Sequence, residues 1–295
     1  MAVMTSATHA RRRLLLIRGL GHSGTTILDL ALGAHPQLVG LGEAARILER
    51  PAVGEEHRGP ARLRRDLRFE RRCTCGAVAA ECPVWGSLLE WLPGHDDRPL
   101  AEKTLRLLDA VQRIHPEVQW AVDSYQDDMV LPFLDDPELD IRIVHLIRDV
   151  RSWVHSRSRD GQRRGQWLPG LKPLLRWCRV NARQASRLQA SGRPIYRLGY
   201  EQLALDPEGS LQRLCDWLEI PFDRRMLQPA QHSSSHILSG NRMRFDAKQG
   251  ASIRYDGAWL KQPAGLAQFA LWIPWVAVLN QSLVYSDVDV DLRSC

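Results

Sequence analysis

An α/β fold is what the sequence predicts: a parallel sheet flanked by helices, in a single domain with insertions. Three observations carry this. Apolar runs of strand character recur at Leu14–Ile17, Trp120–Val122, Ile141–Ile147 and Pro194–Leu198, and stretches with helical spacing follow or separate them. Strands alternating with helices call for a parallel sheet covered on both faces. No linker divides the 295 residues, a length that suits one enlarged α/β domain at roughly 150 residues per domain.

The elements follow in order. Residues 1–13 are small, polar and acid-free. They read as a flexible tail, because removal of a transit peptide there would endanger the motif that begins at residue 14. Leu14–Ile17 runs into a glycine turn and then the helical spacing of Ile27–Leu32, giving strand, turn, helix. Residues 51–95 form an insertion, in which His57–Arg72 has seven arginines against two acids and reads as an exposed arm. Cys73, Cys75 and Cys82 follow it. Helical patterns then cover Leu100–Ile114, Val150–Arg157, Leu171–Leu188 and Pro207–Leu218, the last with proline at its first position. Phe269–Leu279 is the most apolar run, but it carries Pro274 and falls short of the ~20 residues that span a bilayer, so no transmembrane segment is expected.

With 44% hydrophobic and 25% charged residues, global disorder is excluded. The net charge of +6 is the excess of 40 basic over 34 acidic residues, the basic ones being 36 Arg and only 4 Lys, and arginine suits planar, bidentate contact with phosphate and carboxylate. Positive charge gathers in Arg11–Arg18, His57–Arg72 and Arg142–Arg164, and the remainder is acidic. A small phosphorylated nucleotide is therefore the expected partner, and nucleic acid is not. Six cysteines are too few for a disulfide scaffold in a chain this long, so a reducing, cytoplasmic setting is expected.

Two segments carry chemistry. Gly19-Leu-Gly-His-Ser-Gly-Thr-Thr26 has the Gly-x4-Gly spacing of a phosphate-binding loop. In such a loop, backbone N–H groups and the positive end of a helix dipole converge on an anion. The nucleotide-triphosphatase form needs Lys after the second glycine, where this chain has Thr25, and no plain strand ends in a magnesium-binding Asp. A P-loop-like site for an anion without a metal is the outcome. The second segment, Ile143-Val-His-Leu-Ile-Arg148-Asp-Val-Arg151, sets Arg148 at the carboxyl end of a buried strand, where open α/β sheets collect ligands. Arg148 and the Ser156 hydroxyl would hold a second phosphate; the alternative is a surface arginine paired with Asp149.

These segments resemble those of sulfotransferases that use 3′-phosphoadenosine 5′-phosphosulfate (PAPS). Gly21-His-Ser-Gly-Thr-Thr26 is similar to the family's 5′-phosphosulfate loop, and Arg148-Asp-Val-Arg-Ser-Trp-Val-His-Ser156 to its 3′-phosphate motif. Ala34-His-Pro followed by Gly42-Glu43-Ala-Ala-Arg46 resembles the stretch after the loop in tyrosylprotein sulfotransferases and bacterial relatives. Weaker similarity lies at Tyr200-Glu-Gln-Leu with Asp206-Pro207, Gly240-Asn-Arg-Met-Arg244, and Cys73-Thr-Cys-Gly76 with Cys82-Pro-Val-Trp85.

The resemblance implies a reaction in which a sulfuryl group moves in line from PAPS to a hydroxyl of a small molecule or carbohydrate. The amides of Ser23, Gly24, Thr25 and Thr26 would hold the 5′-phosphate with the Thr hydroxyls, His22 would touch the bridging oxygen, and Glu43 would take the acceptor proton. Arg46 would lie beside the acceptor or pair with Glu43 at i, i+3. Asn241 and Arg244 would close over the nucleotide. No metal is expected. The family usually has Lys or Arg at position 22, and many members have Lys a few residues after the middle strand, where this chain reads Asp123-Ser-Tyr-Gln126. The alternatives are a P-loop phosphoryl transferase, or a nucleotide-binding relative whose catalysis these replacements weaken.

Three further groups read as structural. Cys73, Cys75 and Cys82, with His57 or His95, would make a zinc site, but they lack paired C-x2-C knuckles and read as buried or locally structural thiols. Trp153, Trp177 and Trp217 occupy helical positions and read as core. His232 and His236 precede Gly240 and either could serve in catalysis, but they read as solvated loop histidines.

Overall fold

The structure, a computed structural model, describes residues 11–50, 72–125, 134–163, 165, 167–246, 252–261 and 265–285. Five parallel strands form one sheet in the order β2-β3-β1-β4-β5: β1 Arg12–Arg18, β2 Leu38–Gly40, β3 Trp120–Asp123, β4 Leu139–Ile147 and β5 Ile195–Gly199. Four of them coincide with the runs found in the sequence. The fifth, β2, is three residues long, too short for a period of two to show.

Strand alternation sorts the core into two layers. Leu14 and Leu16 of β1, with Ile141 and Ile143 of β4, enter one apolar cluster. Leu15 and Ile17, with Val144 and Leu146, enter another on the opposite face. The first face is covered by α2 (Ala44–Leu48), α3 (Gly86–Trp91) and α4 (Leu100–Ile114), and the second by α1 (Thr25–Leu32) and the later helices α7 (Tyr200–Leu205) and α8 (Pro207–Leu218). The ends of α4 and α8 are those the sequence predicts, set by the apolar stripe and by Pro207 at the first position. A third cluster joins α5 (Val150–Arg163) and α6 (Leu171–Ala190) to the C-terminal α10 (Leu266–Phe269) and α11 (Pro274–Val284). A short helix, α9 (Pro229–His232), lies beside α1.

The cysteine-bearing part of the insertion is not an appendage. Cys73, Cys82 and Trp85 are buried in the first cluster together with Leu88, Leu89 and Leu92. Among the described residues no single helix is long and apolar enough to cross a membrane; α10 with its following 3-10 turn, and α11, form a pair bent by 93°. Pro274 opens α11, and so ends one helix and starts the next. Of the tail read as residues 1–13, Arg12 and Arg13 instead open β1, paired with Leu139 and Asp140 of β4; residues 1–10, most of the arginine-rich arm, His57 and Gln126 lie outside the described residues.

Candidate active site

The chain leaves β1 leftward towards β2 and leaves β4 rightward towards β5, so the crevice above the carboxyl ends of these neighbours is the topological switch point of the sheet. The loop after β1 is the glycine turn, and the residue after β4 is Arg148. The order of the strands thus brings both predicted anion-binding segments to one crevice.

The glycine turn is held in an uncommon backbone conformation. His22 has φ 75° and Gly24 φ 96°, both in the left-handed region. Gly24 precedes the first turn of α1, whose leading N–H groups have no acceptor within the helix. The amides of Thr25 and Thr26 belong to that turn, and the Ser23 amide donates to the Leu20 carbonyl at 3.0 Å and shapes the turn. A side chain on Gly24 would meet the Tyr200 ring 2.6 Å away and would also be strained by φ. Gly24→Ala is therefore expected to remove anion binding at the loop while the sheet still forms. The check is far-UV circular dichroism alongside calorimetric titration with adenosine 3′,5′-bisphosphate.

Arg148 is buried, 7% exposed, and every edge of its guanidinium is engaged. Nε donates to the Ser152 hydroxyl at 2.7 Å, Nη1 to the His22 carbonyl at 3.1 Å, and Nη2 to Asp256 at 2.8 Å. The guanidinium also lies 4.8 Å from the centre of the Tyr200 ring. Ser152 in turn donates to Glu201 at 2.9 Å. The alternative pairing with Asp149 does not form: Asp149 accepts from Nε and Nη2 of Arg151, at 2.9 and 3.0 Å, and from Asn280 and Tyr285. Burial would raise the Asp256 carboxyl, but the Arg148 guanidinium outweighs it and holds the group below its usual value. Ser156 lies half-buried on α5, one turn beyond the Ser152 that touches Arg148.

Two tryptophans read as core do more than fill it. Trp153 and Trp177 are buried in the third cluster. The indole N–H of Trp153 donates to the Gly21 carbonyl at 2.8 Å, and that of Trp177 to the Arg148 carbonyl at 2.9 Å. One rigid layer therefore holds both loops.

His22 does not stand alone. Arg157 of α5 donates from Nη1 to its Nε2 at 2.9 Å, so a guanidinium adjoins the position where a cation was missing from the sequence motif. The imidazole that accepts this bond carries its proton on Nδ1.

Glu43 sits at the N-terminal boundary of α2 with its carboxylate between two donors, Arg46 at 2.9 Å and the Ser239 hydroxyl at 3.1 Å. The Arg46 contact is the i, i+3 pair. The Glu43 amide also donates to the Ser239 carbonyl at 3.0 Å. Gly42 has φ 65°, and a side chain there would run into the Ser239 carbonyl and Ile237. Asp123 ties this corner to β1: Oδ2 accepts from the Ala45 amide at 2.7 Å, and Oδ1 from the fully buried Arg18 at 3.2 Å. The Arg18–Asp123 pair was not visible to sequence reasoning, nor were Asp256, Ser239 or Arg157.

Asp29 lies under the same corner. Its Oδ2 accepts from the Ser124 hydroxyl at 2.6 Å, and burial pushes its carboxyl up to about 7. The folded state binds that proton more tightly than the unfolded chain, so it carries more protons between about pH 4 and pH 7, and its stability falls as pH rises through that window. Asparagine imitates the protonated carboxyl. The melting temperature of Asp29→Asn is therefore expected to gain on the wild type from pH 4 to 7 and to run parallel above, in paired thermal melts; each unit is worth roughly 1.4 kcal/mol at most.

Asn241 and Arg244 serve their own loop. The Asn241 side chain accepts from the Met243 amide at 3.0 Å, and Arg244 donates to the carbonyls of Gly240, Asn241 and Leu238. The 3-10 turn they shape, Arg242–Phe245, rests against α1.

Comparison with known proteins adds three findings. A family model described as the sulfotransferase family matches residues 15–224. The human protein carbohydrate sulfotransferase 6 is 31% identical over 105 aligned positions, a match that covers 29% of this chain and 27% of that protein, so the matched stretch spans about a quarter of the relative. The solved sulfotransferase domain from the Synechococcus PCC 7002 olefin synthase superposes with a TM-score of 0.57 at 19% identity, covering 94% of this chain and 96% of that one, which shows a shared fold.

Proposed function

The chain belongs to the sulfotransferase family, and from that premise we propose that it moves a sulfuryl group from PAPS to a hydroxyl of a small molecule or carbohydrate. The observation that carries this is the meeting of two segments at one switch point: the start of α1 after the glycine turn and the buried Arg148. Their fit to a nucleotide with two separated phosphates is supported by the left-handed turn at His22 and Gly24 that leads into α1 and by a guanidinium already engaging a carboxylate oxygen. The lack of Lys after Gly24 favours this over phosphoryl transfer.

When bound, PAPS supplies the sulfuryl group and a phosphate as its leaving group. The amides of Gly24, Thr25 and Thr26, with the Thr hydroxyls, hold the 5′-phosphate, and Arg148 holds the 3′-phosphate together with Ser152 or Ser156. His22 donates from Nδ1 towards the charge that develops on the leaving oxygen, and Arg157 behind it supplies the fixed positive charge. Glu43 accepts the proton of the acceptor hydroxyl, and Arg46 and Ser239 fix the carboxylate for that task. The human relative's name supports a carbohydrate as one acceptor class. A cytoplasmic setting belongs to the same proposal, supported by Cys73, Cys75, Cys82, Cys178 and Cys215, which form no disulfide.

The test is a thermal-shift titration. Adenosine 3′,5′-bisphosphate is expected to raise the melting temperature and ATP with magnesium to leave it unchanged. The reverse pattern overturns the proposal.

A further inference from the structure

The cysteines of the insertion meet a partner from the far end of the chain. Cys73, Cys75, Cys82 and His236 bring one ligand atom each to within 4.8 Å of one another. His95, one of the two histidines considered for this role, is elsewhere, stacked on Trp91. His236 is buried and faces sulfur, contrary to its reading as a solvated loop residue.

The spacing matches one geometry. Tetrahedral zinc with ~2.3 Å bonds to sulfur and ~2.0 Å bonds to nitrogen sets its ligands about 3.8 Å apart for sulfur pairs and about 3.5 Å for sulfur and nitrogen. Here Cys73 and Cys82 are 3.6 Å apart and Cys75 and Cys82 3.9 Å, with His236 Nδ1 3.3 Å from Cys82 and 3.8 Å from Cys73. A disulfide would need sulfurs at about 2.0 Å.

The surroundings suit a ligand. His115 Nε2 lies 2.8 Å from His236 Nε2. A proton on His236 Nε2 then donates to His115 and leaves the Nδ1 lone pair turned to the three sulfurs, the orienting arrangement that metal-bound histidines use. Thr74 accepts from the Ile237 amide at 2.9 Å and the Trp85 indole donates to the His236 carbonyl at 2.6 Å, so the two segments of the cluster are held together without a metal. Cys75 is exposed, which gives an entry path.

We propose that Cys73, Cys75, Cys82 and His236 bind a structural zinc ion that staples the insertion to the 233–240 segment. Four protein ligands leave no open position, so the ion takes no part in chemistry. On binding, the three thiols release their protons to solvent and the imidazole stays neutral. The staple ends three residues before Ser239, whose hydroxyl and carbonyl both engage Glu43. Zinc is in this way a positioning element for the corner that carries Glu43, and the proposal stands whether or not the reaction is sulfuryl transfer.

The test is metal analysis of protein expressed with zinc and purified under reducing conditions. About one zinc per chain is expected, with cobalt exchange giving the intense visible bands and sulfur-to-cobalt charge transfer of a tetrahedral thiolate site. Cys75→Ser, at an exposed position that should leave folding intact, is expected to weaken zinc retention against a chelator at least ~10-fold, and His236→Ala likewise. Chelation of the wild type should lower the melting temperature. Metal-free protein whose three thiols all react, a mass lower by two hydrogens from a disulfide, or zinc retained equally by both variants would overturn the proposal.

Discussion

Glu43→Gln is expected to lower the rate of sulfuryl transfer by ~10²–10⁴, the range that general acid–base groups contribute, while nucleotide binding stays unchanged. Glutamine keeps the length of the side chain and an oxygen that still accepts from Arg46 and Ser239. It takes no proton from an alcohol. Because neither contact involves the glycine turn, affinity for adenosine 3′,5′-bisphosphate should survive, which separates loss of the base from loss of the site. Single-turnover transfer on saturated enzyme, with calorimetry for binding, makes the measurement. A variant that transfers at the wild-type rate removes Glu43 from the role of base and leaves the donor site untouched.

Arg148→Ala should abolish measurable stabilisation by adenosine 3′,5′-bisphosphate. Hydrogen bonds to charged groups are worth ~1.5–3 kcal/mol each, so losing a bidentate pair weakens binding by more than ~100-fold. Arg148→Lys keeps the charge but not the fork and is expected to recover only part of this. Asp256 supplies the control in the opposite direction. It now occupies Nη2 of the arginine at 2.8 Å, so an incoming phosphate must displace it, and Asp256→Asn should tighten binding. If Arg148→Ala binds the bisphosphate as the wild type does, the 3′-phosphate lies elsewhere.

Local pattern made much of this molecule legible. The buried runs of β1 and β4, the stripe of α4 and the proline that opens α8 each state their structure within a few neighbouring residues. The glycine turn and Arg148 were legible for the same reason: strand, turn and helix lie in one continuous stretch. What stayed hidden are contacts between distant segments. Ser239 reaches Glu43 across 196 residues, Asp256 reaches Arg148 across 108 and His236 reaches Cys82 across 154. No periodicity encodes such meetings. They follow from the order of strands, which brings loops from all along the chain to one edge of the sheet. Of the three, only the cysteine cluster gave a prior signal, ligand-type residues in need of a fourth member.

The two indole bonds have a consequence for selectivity. Trp153 fixes the Gly21 carbonyl and Trp177 fixes the Arg148 carbonyl, and both rings belong to one buried cluster. The span between the two proposed anion sites is thereby set by a close-packed interior of low compressibility. Such a span works as a gauge block. On the proposed reading, a nucleotide with phosphates on both sides of its ribose would bridge it, whereas one with the same charge in a single chain of phosphates would meet only one end, however many oxygens it carries.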